Sequence, residues 1–448
     1  MIVDSVLTNA KAYINQEIVQ CSIAIENGKI FKISKETHMP KSDKKIDLKN
    51  FLVLPGLIDP HVHLRSEGKS YKEDFYTGTA AAAAGGFTTV LDMPNNLPVT
   101  CSSETLKNRI KLAEKRILVN VGFYSEFPRD LIELPEIVNE GAIAFKLFLA
   151  HQIGGLNIDV DLSLQEALTK VNELDMPFAV HAEDKNLLLL NEKKLKNSNK
   201  NDLKAFLKAH SEEVEYCAIE RLLRLNEEIG AHLHFCHVST MKGLTLIKNA
   251  KETNTKITCE VTPNHLFLSN NAFDRYGSLL IMMPPPRSEN NVNALLNAIR
   301  NGWVDVLGSD HAPHTINEKM NTNVWDVKVG LPGLETSLPL MLTMVNKRLL
   351  NIGDIVLLFS ENPARIFKLP SLGFIEQGKN ADLTVIDFKK KFKIDASSFN
   401  SKAKYSPYDG WDVQGSPVKT FVKGNLIMEE QRIVGETGSG SILKRVVQ

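Results

Sequence analysis

The two ends of the chain and its middle carry different hydrophobic patterns. Near the amino terminus, CSIAIENGKIFKIS alternates apolar and polar residues around Asn27-Gly28, a pair that suits a tight β-hairpin turn. Near the carboxyl terminus, ADLTVIDF and VKTFVKGNLIM are short β runs, the second interrupted at Gly424-Asn425. Neither end is large enough to bury a core of its own. The pattern therefore predicts one small β-sandwich domain assembled from residues 1–54 and 368–448.

Residues 55–367 instead alternate short apolar runs with amphipathic segments. LSLQEALTKVNEL, EEVEYCAIERLLRLNEEIG and NNVNALLNAIRNG repeat apolar residues at spacings of three and four, which places them on one face of a helix. Between such segments lie eight predicted strands: LVLPGLIDPHVH, TTVLDMP, ILVNVGFYS, AIAFKLFLA, PFAVHAE, AHLHFCHVS, KITCEVT and VDVLGSDHA. Eight strands in β/α alternation predict a (β/α)8 TIM barrel. A doubly wound open sheet is the alternative, but no G-x-G-x-x-G follows the first strand to support a dinucleotide site. The lysine-rich stretch from Glu192 to Lys204 reads as a solvated loop or helix end.

Composition narrows the function. The 448 residues carry 53 Lys+Arg against 53 Asp+Glu, so no excess positive field recruits nucleic acid or another polyanion. The 5 cysteines are widely spaced with no C-x-x-C pair, which argues against a disulfide framework or a cysteine zinc knot and fits a reducing cytoplasm. MIVDSVLTNAKAYI lacks the basic and apolar regions of a secretion signal, and no apolar run approaches the roughly 20 residues of a spanning helix. A cytoplasmic protein with no membrane contact is expected.

Polar residues gather where the predicted strands end, the place where a barrel of this kind exposes its reactive groups. In an extended chain His61, His63 and Arg65 of DPHVHLR face one way, and an H-x-H pair can give two imidazole nitrogens to one metal. His181 interrupts FAVHAED, and His237 closes AHLHFCHVS; His232 and His234, of opposite parity to His237, read as structural. Asp310 follows the apolar run VDVLG, where it could be a ligand or a helix N-cap. Lys146 sits among apolar residues in IAFKLFLA, and burial favours a neutral, nucleophilic amine over an ammonium. Such an amine can react with CO2 to give a carbamate, an anionic ligand able to bridge two metals. Imidazoles with an aspartate suit zinc or a similar divalent ion, and two metals sharing a hydroxide imply amide hydrolysis with Asp310 as general acid/base.

These residues resemble the amidohydrolase superfamily and, within it, the dihydroorotases. The likeness runs along the chain through DPHVHLR, MPN, FKLFLA, VHAED, CHVST, EVTPNHL, GSDHAPHT, GLPGLET and SENPARIF. It implies His61, His63 and Asp310 on one Zn2+, His181 and His237 on the other, and carboxylated Lys146 with a hydroxide between them. It further implies Arg65, Asn95 and His314 as ligands of the carboxylate of dihydroorotate, the substrate interconverted with N-carbamoyl-aspartate in pyrimidine synthesis. Met283 stands where related chains place an Asn against the substrate ring, and Ser66-Glu67-Gly68 replaces Glu-Pro-Gly. Hydantoinases and allantoinases share the metal ligands but resemble this chain less at Arg65 and His314. The resemblance leaves open a homo-oligomer and an association with aspartate carbamoyltransferase. The polar stretch Ala312–Asn323 after the last strand is the expected closing loop.

Overall fold

A computed structural model describes residues 2–445 of the chain. The amino-terminal strands are β1 (Ile2–Ile14), β2 (Glu17–Glu26), β3 (Lys29–Ser34), β4 (Lys41–Asp47) and β5 (Leu52–Pro55). The eight strands that follow are β6 (Leu57–Val62), β7 (Phe87–Asp92), β8 (Asn120–Ser125), β9 (Ala142–Phe148), β10 (Phe178–His181), β11 (Leu233–Phe235), β12 (Thr258–Val261) and β13 (Val306–Leu307). These eight pair in parallel in sequence order, and a bridge between Val62 and His311 joins the last to the first. The predicted (β/α)8 barrel is thus the observed one. Every position in β6 to β13 except Phe148 is buried, as expected of parallel strands covered on both faces.

The three amphipathic segments are helices at Asp161–Glu173, Glu212–Asn226 and Glu289–Arg300. In the first, Leu164, Ala167, Leu168 and Val171 form the buried stripe that packs on the barrel. The lysine-rich stretch closes the helix Lys185–Asn197 and runs on through a turn into the next. No helix among the described residues is long and apolar enough to cross a membrane.

The chain ends share one nine-stranded sheet, to which the carboxyl-terminal part adds β14 (Leu383–Lys393), β15 (Asp412–Val422), β16 (Asn425–Glu429) and β17 (Arg432–Ile433). Its hydrogen-bonded order is β17-β16-β15-β14-β5-β1-β2-β3, with β4 pairing along the first half of β1. Asn27-Gly28 forms the β2–β3 turn as predicted, and Lys423-Gly424 turns β15 into β16. Leu7, Ile23, Ile25, Val53, Leu383, Val385 and Phe421 make the core of this sheet.

The first predicted strand is in fact two. Leu52–Pro55 belongs to the end sheet and Leu57–Val62 to the barrel, with Gly56 between them. A Cβ at Gly56 would lie 2.3 Å from Thr88 Oγ1 and 2.9 Å from Asp382 O, so only glycine passes where the two sheets touch. Two parts of the carboxyl-terminal stretch also leave the sheet for the barrel. Ser401 and Tyr408 bond to Glu73 and Asn264 near its mouth, and Leu443 N–H donates to Val121 O of β8.

Candidate active site

His61 lies in β6, Lys146 in β9 and His181 at the end of β10, whereas His63, Arg65, His237 and Asp310 fall just beyond their strands. Extension stops before the last four. Arg65 (φ 61°), His237 (φ 36°) and Asp310 (φ 47°) adopt left-handed backbone, which costs a non-glycine residue roughly 1–2 kcal/mol. Buried carboxylates hold these turns: Glu260 Oε1 accepts His237 N–H at 3.0 Å, and Asp92 Oδ1 accepts Leu64 N–H at 2.8 Å. His61, His63, Arg65, Asn95, His181, His237, Asp310 and His314 all line one cavity at the barrel mouth.

Within it the histidines are oriented from behind. His61 Nδ1 lies 2.8 Å from Glu260 Oε1, His63 Nδ1 2.6 Å from Asn95 Oδ1, and His181 Nε2 2.8 Å from Glu183 Oε2. These oxygens accept, so each ring donates there and turns its other nitrogen inward. Asp310 Oδ1 is 3.1 Å from His63 Nε2 and 3.4 Å from His61 Nε2, while His181 Nδ1 is 3.1 Å from His237 Nε2. The rings of His61 and His237, 5.2 Å apart, join the two groups. His232 and His234 instead bond to Thr258.

Two buried atoms in this cluster have no partner, Lys146 Nζ and His237 Nδ1. Ligand atoms of His61, His63 and Asp310 lie within 4.8 Å of one another. An unpaired amine beside converging imidazoles and a carboxylate fits divalent ions of the zinc kind. Burial takes His63 down to about 3 and, together with His181 and Lys146, holds His237 well below its ordinary value, so both are neutral donors. His61 differs from these two. Burial is the largest single influence and opposes its charge, but Glu260, Asp310 and Cys236 together outweigh it and raise the imidazole to about 10, so a metal at Nε2 would displace a proton while Nδ1–H stayed on Glu260. Burial likewise opposes ionisation of Asp310, yet His61 and His63 hold it below the usual carboxylate range.

Part of the cavity lining is cationic. Arg65 is buried, with Nη2 3.3 Å from His314 Nε2 and Nε without a partner. His314 Nδ1 accepts from Lys72 Nζ at 3.0 Å and its Nε2–H donates to Val329 O at 2.9 Å, which fixes one neutral tautomer. Burial, Arg65 and Lys72 keep it uncharged, so the positive charge of this wall comes from Arg65 and its lysine neighbours. Asn95 has its carbonyl engaged by His63 and keeps its NH2 as a donor. Glu260 and Lys72 escaped the sequence reading, as did the wall residues Val329 and Gly330; Glu183 had a visible signal in its place beside His181.

Asp92 and Arg109 support this arc from below. Both are buried, and Arg109 bridges Asp92 to the backbone carbonyl of Ser66. Arg109→Met leaves a buried carboxylate unpaired, and urea unfolding should show a loss of about 3–5 kcal/mol.

A barrel whose mouth gathers imidazoles, carboxylate and a buried lysine defines a hydrolase suited to hold divalent metal. The chain belongs to the amidohydrolase family, which it matches over residues 52–427. It is 37% identical to the dihydroorotase of Methanosarcina acetivorans, the alignment covering 98% of this chain and 95% of the relative. It is 32% identical to the L-hydantoinase of Paenarthrobacter aurescens, over 99% and 98%. A solved L-hydantoinase (dihydropyrimidinase) from Arthrobacter aurescens superposes with a TM-score of 0.95 at 32% identity, covering 99% of this chain and 100% of that one.

Proposed function

We propose that the protein is a dihydroorotase, which hydrolyses the ring amide of dihydroorotate to N-carbamoyl-aspartate and runs the reverse closure. One observation carries this reading over other cyclic amides: Arg65, a buried guanidinium with an unpartnered Nε, lines the same cavity as the metal-type residues. A buried fork of N–H donors matches a substrate carboxylate, and a neutral ring would leave it unpaired. Asn95 adds its NH2, and His314 an N–H once the substrate competes with Val329 O.

In this reading His61, His63 and Asp310 would hold one divalent ion and His181 and His237 the other, with Lys146, as its carbamate, supplying an anionic ligand to both. When bound, the ions supply Lewis acidity and a water of lowered pKa. Asp310, ionised, takes the proton of the attacking water and gives it to the ring nitrogen as the carbon–nitrogen bond breaks. The new carboxylic acid ionises at neutral pH, so acid favours ring closure. Arg65 and Asn95 fix the ring by its carboxylate, and the apolar side chain of Met283 packs against the cavity instead of donating to the ring.

The hydantoinase likeness favours a second reading, a neutral five- or six-membered cyclic amide on the same metals. Purified protein assayed on dihydroorotate, hydantoins and allantoin, with metal analysis, separates the two. Arg65→Met should raise KM for dihydroorotate about 10–100-fold with little effect on any hydantoin turnover. Unchanged dihydroorotate kinetics would reject the carboxylate assignment.

A further inference from the structure

One wall of the cavity comes from no strand end. Val329 and Gly330 reach it after the irregular stretch beyond the short helix Ile316–Lys319. Val329 O holds His314, and Leu331 O accepts Ala312 N–H at 2.8 Å, so the position of this wall sets both a candidate substrate ligand and the cavity width.

Lys319 holds the wall in place. It is fully buried, and its Nζ donates to Ile281 O at 2.5 Å, Gly330 O at 2.9 Å and Lys328 O at 3.0 Å. Three donors meet three carbonyls, and no carboxylate is among the partners. Gly330 N–H also donates to Ile281 O at 3.0 Å, so the lysine closes a knot around the segment that leads to Met283. A methionine of similar length would fill the space but leave the Lys328 and Gly330 carbonyls without this donor, so the lysine orders the wall as well as filling the core. Burial lowers its ammonium to about 7, and the three carbonyl dipoles oppose loss of the proton. The stretch Ala312–Asn323, expected to close as a loop, is fastened at Lys319 and by a capping box between Thr315 and Glu318.

We propose that Lys319 is a positioning residue for substrate binding: its buried ammonium clamps the 328–330 wall and Ile281 to the loop after β13, and so fixes His314 and the cavity width. This rests on the reading of the cavity as a dihydroorotate site.

The test compares wild-type holoenzyme with Lys319→Met, Lys319→Gln and Lys319→Arg in steady-state kinetics, metal analysis and hydrogen exchange. Lys319→Met should raise KM for dihydroorotate about 10–100-fold, change kcat by no more than about threefold, and leave metal content intact. Backbone exchange should quicken in peptides 312–331 and stay unchanged in β9 and β10. Arginine, with its charge and several donors, should recover most of the KM, and glutamine, with two donors, should fall between. An unchanged KM with unchanged exchange overturns the clamp, as does a fall in kcat and thermal stability with KM unmoved. Wild-type protein that hydrolyses hydantoins and ignores dihydroorotate overturns the substrate reading instead, and exchange in 312–331 then decides the clamp. Should Lys319→Met not fold, the glutamine and arginine variants carry the same ranking.

Discussion

Asp310→Asn is expected to lower kcat roughly 10⁴-fold, at the upper end of what a positioned general acid/base contributes. Asparagine keeps the shape of the side chain but accepts no proton at neutral pH. It also loses the charge that faces His61 and His63 at 3.4 and 3.1 Å. His181 and His237 lie in a separate pair 3.1 Å apart, so metal at that group should be retained. Mass-spectrometric metal analysis of the variant should therefore give between one and two ions per chain, with turnover nearly absent. Turnover within about tenfold of wild type would sink the assigned role, since a group that only orients a ring does not supply a proton-transfer step. Because His61 and His63 hold Asp310 below the usual carboxylate range, the base stays ionised across the neutral range.

Lys146→Met should also be strongly damaging, for a different reason. Methionine keeps the apolar length of the side chain in a site where Lys146 is fully buried, but cannot form a carbamate. The variant should lose metal at the His181 and His237 group and fall in activity on the order of a thousandfold. Short carboxylic acids added to the variant should restore part of the rate by occupying the space of the missing bridge. Wild-type protein stripped of metal and reloaded should recover faster with bicarbonate than without it, because the amine needs CO2. Full metal content and normal turnover in Lys146→Met would refute the bridge. The unpartnered Nζ makes the substitution informative, since no hydrogen bond or ion pair of the protein is broken with it.

Much of this was legible in the chain because the signals are local. A strand buried on both faces must be apolar throughout, so His61, Lys146 and His181 stand out where they interrupt such runs, and His63, His237 and Asp310 where the runs end. The eight runs and their helices set the barrel, and the barrel brings its strand ends together whatever the loops do. Local periodicity has no access to what arrives from elsewhere. Glu260 grips His61 across 199 positions, and with Asp310 and Cys236 it overcomes burial and keeps the imidazole protonated. Gly56 splits one apolar run between two sheets because Thr88 and Asp382 leave no room there for a side chain. His314, which the resemblance assigns to the substrate carboxylate, has its neutral tautomer fixed by Lys72 and Val329. The sequence by itself determined which candidate residues meet at the barrel mouth and which strand carries each, since those are properties of burial along one segment. Tertiary structure alone decided their protonation, their backbone turns and the far wall clamped by Lys319, because these depend on charges and carbonyls brought close only when the barrel closes.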